Sequence, residues 1–326
     1  MDSRDLYFSK SLIAYPYHWQ ESASTEKLVF EQLRHSGYSG NANYVAFPWS
    51  SLINALLFKD SKLLEILVAM HGVLRQNLPE GKQLVTVSQH PDTMRFQELF
   101  LTCNITVLLT PHKSKDISSI QKLQIKPFPL LGVQDVENFA EHRSNPKYLL
   151  NFVGAYDPLT YLSEMRDYIL SKKAERNDYR IFQRPQWHYL AAVSRQHFGT
   201  MESDEKLNLE DEYRKQFLNV IKQSDFTLCP TGRGLCTTRI FEALSGGSIP
   251  VVLSTVLDLP GNQILWNKAC IIEQETKEGL DRALETIDKM SPSEIESMRQ
   301  AGKELHLSLN PSSYCRSIME AIGEAS

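Results

Sequence analysis

Residues 224–253 constrain this chain more than any other stretch of its 326 residues. They read Ser-Asp-Phe-Thr-Leu-Cys-Pro, then Thr-Gly-Arg-Gly-Leu-Cys, then Thr-Thr-Arg-Ile-Phe-Glu-Ala-Leu-Ser, then Gly-Gly-Ser-Ile-Pro-Val-Val-Leu. Residues 226–228 suit a buried strand. Pro230, Gly232 and Gly234 end it and let the backbone turn tightly. A hydroxyl of Thr237 or Thr238 can cap the helix that follows. Ile240, Phe241 and Leu244 give that helix an apolar face. Gly246-Gly247 is a helix stop, and residues 249–253 resume as a buried strand. The order predicts an α/β unit of strand, glycine loop, helix and strand.

Open N–H groups at the start of such a helix favour an anion. Arg233 and Arg239 can add forked bonds to phosphate oxygens, with Gly234 and Thr238 in the loop and first turn. Arg239 and Glu242 are three apart and share a helix face. A carboxylate repels phosphate, but it accepts bonds from two vicinal hydroxyls. The arginines are therefore expected on a diphosphate and Glu242 on a ribose. The alternative is that Arg239 and Glu242 form an ordinary surface ion pair. No Gly-Lys-Ser/Thr follows the loop, so a nucleotide-triphosphate P-loop is excluded.

The stretch 213–253 resembles the C-terminal signature of the exostosin-like glycosyltransferases: Leu-Cys-Pro, a glycine, hydroxyl residues, Arg-Ile-Phe-Glu-Ala, glycine and Ile-Pro-Val-Val-Leu. Leu257-Asp258-Leu259-Pro260 resembles the acidic element after that strand. Residues 148–154, ending at Gly154, resemble the strand and glycine that open the family's nucleotide-binding domain. The resemblance implies a GT-B fold of two facing Rossmann-like α/β domains with a cleft between them. It implies inversion of the anomeric centre and a nucleotide-sugar donor (UDP by the family's habit). It assigns Arg233, Arg239 and Glu242 to the donor site. Arg233 and Arg239 suit the stabilising of the leaving diphosphate, so no metal or other cofactor is expected. The family commonly has arginine after Leu-Cys-Pro, where this chain has Thr231; Arg233 is expected to supply that charge.

Length and composition fit two domains, with 42% hydrophobic residues and a net charge of −4. No global field recruits nucleic acid, so basic sites must be local. Five cysteines, at 103, 229, 236, 270 and 315, have no Cys-x-x-Cys spacing. They predict neither a zinc site nor a disulfide framework, although Cys229 and Cys236 flank the loop; reduced core thiols are the favoured reading. No apolar run is long enough for a membrane span. A cytoplasmic location is expected of the chain as it stands, a luminal domain without its anchor being the alternative. Asn104-Ile105-Thr106 spells a glycosylation acceptor, read as incidental because a strand is expected there.

Strands are expected at 6–14, 44–47, 83–87 and 105–109, with helices at 24–35 and 61–74. Residues 48–51 are expected as a loop. Residues 114–144 show no clear period, and a linker is placed at 136–146. The second half predicts a strand at 149–153 and helices at 159–173, 210–223, 276–290, 292–307 and 312–321. Nothing regular is assigned in 176–199; a base-reading loop is expected near 179–187. The domains are placed at 1–140 (acceptor side) and 141–308 (donor side), with 309–326 as a terminal helix returning to the first domain.

Ligands of open α/β sheets bind at the carboxyl ends of strands. That makes His18, Trp19, Trp49, His90, Asp92 and His112 candidates for the acceptor side, with a glycan as acceptor. Inversion needs a base near the attacking hydroxyl. Asp92 is the first choice, His90 the next, with Glu21 and His18 in reserve. Asp92 can equally cap a helix over 93–101, and His18 and Trp19 can equally belong to an aromatic cluster. Two other classes stay open: a glycan-binding or scaffold protein with a degenerate donor site, and a phosphorylase or nucleotide-sugar epimerase.

Overall fold

The computed structural model describes residues 5–20, 25–131, 146–158, 161, 163–185 and 204–324. The expected linker lies outside these residues but for Pro146, and so do Glu21 and the last two residues of the expected base-reading loop. The described chain falls into two compact units, 5–131 with 310–324, and 146–309.

The first unit is a seven-stranded sheet ordered β1-β2-β3-β4-β5-β7-β6. Its strands are β1 (Tyr7–Ser9), β2 (Leu12–Ala14), β3 (Asn43–Ala46), β4 (Leu84–Val87), β5 (Val107–Thr110), β6 (Ser119–Ile120) and β7 (Leu123–Pro127). Strands β2, β3, β4, β5 and β7 are parallel; β1 and β6 add antiparallel edges. Every residue of β4 and β5 is buried, as expected of strands covered on both faces. The crossovers are α1 (Thr25–His35), then α2 (Trp49–Phe58) with α3 (Ser61–Asn77), then α4 (Gln97–Leu101). Asp60 caps α3 by accepting from Leu63 N at 3.2 Å. Leu67, Met70 and Leu74 then face the core at helical spacing.

Residues 48–51 correct the expected loop. Trp49 opens α2 and is fully buried, with Nε1 donating to Thr86 Oγ1 at 2.7 Å. Its ring packs on Phe47 and Phe100. Trp49 is therefore a core residue and presents no acceptor surface. Asn104 also departs from expectation. It is exposed in a turn with φ +52°, accepting from Lys122 Nζ at 2.8 Å. The stretch read as aperiodic contains β6 and β7, short strands at the sheet edge.

The second unit is a fully parallel five-stranded sheet ordered β12-β11-β10-β8-β9. Its strands are β8 (Tyr148–Ala155), β9 (Tyr179–Arg184), β10 (Ser224–Pro230), β11 (Ile249–Leu253) and β12 (Ile271–Glu273). Helices are α5 (Met165–Ser171), α6 (Asp204–Lys222), α7 (Thr238–Ser245), α8 (Gln263–Ala269), α9 (Lys277–Lys289) and α10 (Pro292–Ser308). Phe152, Ile169, Phe226, Val251 and Leu284 lie in its core. Ser291 and Glu294 form a reciprocal capping box at α10, with Pro292 in the first turn. The last helix, α11 (Pro311–Glu324), belongs to the first unit. Tyr314 packs on Phe128 there, and Gly323 lies against the Ala42 backbone.

Chain order fixes where the second unit can bind. From β8 the chain goes to β9 on one side, then crosses back to β10 on the other. The carboxyl ends of β8 and β10 are therefore the topological switch point, where ligands of open α/β sheets bind.

Candidate functional site

At that switch point β8 ends in Gly154-Ala155, β10 in Pro230, and the glycine loop leads into α7. The helix stop forms as its sequence requires. Gly247 takes φ +69°, and Ser248 N donates back to Ala243 O at 2.9 Å. The start differs from expectation. Thr237 occupies the cap position without a side-chain capping bond. Thr238 Oγ1 instead donates to Glu242 Oε2 at 3.3 Å.

Arg239 and Glu242 are both buried, at 7% and 3% exposure. A surface ion pair is excluded. Nη2 of Arg239 donates to Val153 O at 3.0 Å, which aims the guanidinium at the end of β8. Burial pushes the Glu242 carboxyl up to about 7, against the opposing pull of Arg239 and Thr238.

Two further arginines share this place. Arg166 on α5 and Arg184 at the end of β9 are 5% and 3% exposed. Burial first, and then repulsion from Arg239, pushes each guanidinium down to about 10. Arg166 donates to Ala155 O at 3.0 Å, and Arg184 to Tyr213 O. Yet Nε and Nη1 of Arg239, Nε and Nη1 of Arg184, and Nε of Arg166 have no hydrogen-bond partner among the described residues. Phe152 offers its ring to both Arg166 and Arg239, with guanidinium carbons 5.7 and 4.8 Å from its centroid. Tyr161 lies 3.9 Å from that of Arg166. Ring faces disperse charge but satisfy none of these N–H groups. Burying unpaired cations costs several kcal/mol each, roughly. An anion with several oxygens offsets that cost directly.

Arg166 also reaches the loop after β10. Its Nη2 reaches Thr231 O at 3.4 Å, whereas Arg233 is exposed. The Thr231 hydroxyl is held by Glu275 Oε2 at 2.5 Å and its N–H by Oε1 at 3.2 Å. Burial raises the Glu275 carboxyl. Cys229 and Cys236 are buried with free thiols, each pushed up to about 12 by burial, so both pack as small apolar side chains. Arg166 and Arg184 escape sequence reading because a charge on a helix or strand is ordinarily solvated. The available signal was Arg184 at the end of an alternating run, Tyr179 and Ile181 inward, in a βαβ unit flanking the loop.

In the first unit a polar cluster sits at the carboxyl ends of β3, β4 and β5. Asp92 lies just past β4. Its N–H donates to His90 Nδ1 at 3.0 Å, and Arg95 Nη1 donates to its Oδ1 at 2.8 Å. It makes no side-chain capping bond to the turn that follows. His90 is buried, and its Nε2 meets Asn54 Oδ1 at 2.9 Å. With Nδ1 accepting, Nε2 carries the proton. Both ring nitrogens are thus engaged within the protein. Burial pushes buried His112 down to about 4, so it is neutral. Glu26, at the start of α1, accepts from Ser50 Oγ at 2.7 Å and from Ser50 N and Gln89 N, each at 3.2 Å. Burial holds it up to about 7. His18 adopts φ +59°, a conformation costly for a residue with a Cβ, and its carbonyl accepts from Ser51 Oγ at 2.6 Å. Trp19 packs its ring 6.0 Å from that of Phe30.

Comparison with known proteins bears on both units. The model of the Exostosin GT47 domain matches residues 80–285. Human ribitol-5-phosphate xylosyltransferase 1 is 34% identical over 132 residues, 37% of this chain and 25% of that protein. Bovine exostosin-1 is 36% identical over 66 residues, 20% of this chain and 9% of that protein. The chain spans a quarter or less of the length of these relatives. Among solved structures, the sucrose-phosphate synthase of Thermosynechococcus elongatus aligns at TM-score 0.47 and 11% identity, covering 80% of this chain and 71% of that one. An α,α-trehalose-phosphate synthase (UDP-forming) from Burkholderia vietnamiensis aligns at TM-score 0.45 and 11% identity, covering 80% and 71%. No described helix is long and apolar enough to cross a membrane. The match to the domain model covers more than half of the chain, and the chain belongs to the exostosin GT47 family.

Proposed function

We propose that the protein is an inverting glycosyltransferase of GT-B type. It moves a sugar from a nucleoside diphosphate donor, a UDP-sugar, to a hydroxyl of a glycan acceptor. One observation carries the reading: three buried arginines keep N–H groups with no partner among the described residues, two of them close on Gly154, and the buried carboxyl of Glu242 lies on α7 with Arg239. Arg166, Arg184 and Arg239 take the diphosphate, and Glu242 accepts from the ribose hydroxyls.

The acceptor oxygen attacks the anomeric carbon as the bond to the diphosphate oxygen breaks. Negative charge grows on the leaving diphosphate, where fixed cations stabilise it without reorganising. Asp92, whose carboxylate accepts from Arg95 and whose N–H donates to His90, is the proposed base for the proton of the attacking hydroxyl. Family membership and the relatives' names support a transferase; UDP and inversion rest on the resemblance of the signature.

The test is a panel of UDP-sugars incubated with protein and oligosaccharide acceptors, with UDP release followed and the product anomer read by proton NMR. A product of opposite anomeric configuration supports the reading. A product of the same configuration overturns inversion. No release from any donor, in protein that also fails to bind UDP, overturns the transferase and leaves a scaffold.

A further inference from the structure

The first unit carries a groove of about 850 Å³ beside β1 and α1. Its rings are Tyr7 and Phe8 from β1, Tyr17 and Trp19 from the loop after β2, and Phe30 from α1. Tyr7 pairs with Ala14, the last residue of β2, so the groove opens at the carboxyl edge of the sheet. Phe8 is 55% exposed, so its ring is available to a ligand in the groove.

The groove also holds planar polar groups. Asp5 and Glu31 stand with Lys27 and Arg34, two charges of each sign. Lys27 Nζ lies 3.9 Å from Glu31 Oε1, and the Arg34 guanidinium lies 5.4 Å from the Phe30 centroid. No net positive field exists here for an anionic chain, in contrast to the arginine cluster. A purely apolar partner would bury these charges without replacing their hydration. Sugar rings match both features. Their C–H faces lie on aromatic rings, and their vicinal hydroxyls bond carboxylates and guanidinium groups.

We propose that this groove binds a neutral oligosaccharide and holds units of the acceptor chain, an assignment that rests on the glycosyltransferase reading. The groove then selects extended acceptors over monosaccharides.

The experiment titrates the protein with neutral hexasaccharides (xylohexaose, cellohexaose and chitohexaose), with a hexasaccharide of alternating uronic acid, and separately with UDP. Saturation-transfer NMR and calorimetry supply the readout. One neutral hexasaccharide is expected to bind, and Phe8→Ala and Trp19→Ala each to weaken it about fivefold to tenfold. UDP affinity and the unfolding midpoint stay unchanged in Phe8→Ala. Binding of the uronic acid chain alone, or neutral binding that both variants leave intact, overturns the assignment. So does self-association abolished by Phe8→Ala, which makes a second copy the occupant. Loss of UDP binding with retained hexasaccharide binding overturns the transferase reading and leaves a glycan-binding groove.

Discussion

A methyl group on Gly154 would lie 2.9 Å from Nη2 of Arg239 and 3.3 Å from Nη1 of Arg166. Glycine at the end of β8 is what lets both guanidinium groups close on the switch point. Gly154→Ala is therefore expected to displace Arg239 from Val153 O and to weaken UDP binding at least about tenfold. The loss of one charged hydrogen bond, about 1.5–3 kcal/mol, sets that scale. Calorimetry measures the affinity, and circular dichroism confirms the fold. Unchanged UDP affinity in folded Gly154→Ala would show that this close approach has no binding role.

The arginine cluster stores instability. An uncompensated buried cation replaced by an apolar side chain of similar length is neutral to stabilising, by about 1–4 kcal/mol. Arg184→Met is expected to raise the thermal midpoint of the ligand-free protein by roughly 2–16 °C, from the size of a unit this long. The same variant loses UDP binding. A lowered midpoint would mean that Arg184 is satisfied structurally and does not await a ligand.

Glu242 gives a pH signature. Its value in the folded protein is raised from 4.5 to about 7, so the folded state holds its proton longer than the unfolded chain. The stability it contributes is complete below about 4.5 and lost as pH rises through 7. Ribose hydroxyls donate to the ionised form and pull the value back down. UDP affinity is thus expected to rise from pH 6 to 8, with a proton released on binding. The phosphate of UDP titrates in the same range, so the comparison is with Glu242→Gln. The difference between the two profiles isolates the carboxyl, and superimposable profiles would remove Glu242 from the ribose.

Asp92→Asn is expected to keep UDP affinity and to lower transfer about 10²–10⁴-fold, the usual worth of a positioned base. Asn54→Ala, which frees the Nε2 side of His90, is expected to shift the pH–rate profile with a smaller loss of rate. Full transfer by Asp92→Asn would place the base elsewhere.

The legible part of this molecule was local. The β10–α7–β11 unit could be read because its glycines, apolar runs and helix stop occupy adjacent positions. Glu242 and Arg239 followed from their spacing of three. Trp49 misled because an aromatic beside proline and serines resembles a binding loop, while only the fold shows Thr86 waiting for its N–H. β6 and β7 were too short to show a period. Arg166 and Arg184 could not be found by spacing, since three arginines from α5, β9 and α7 meet only through the sheet order. Burial of a charge is a tertiary fact, and here that fact carries the site.

The most direct test of the account is a calorimetric titration of the wild-type protein with UDP, with and without EDTA, beside Arg239→Met. Stoichiometric binding that survives EDTA and disappears in folded Arg239→Met is the predicted result. A folded wild-type protein that takes up no UDP, or binds it equally well without Arg239, would contradict the claim that the buried arginines form a nucleoside diphosphate site.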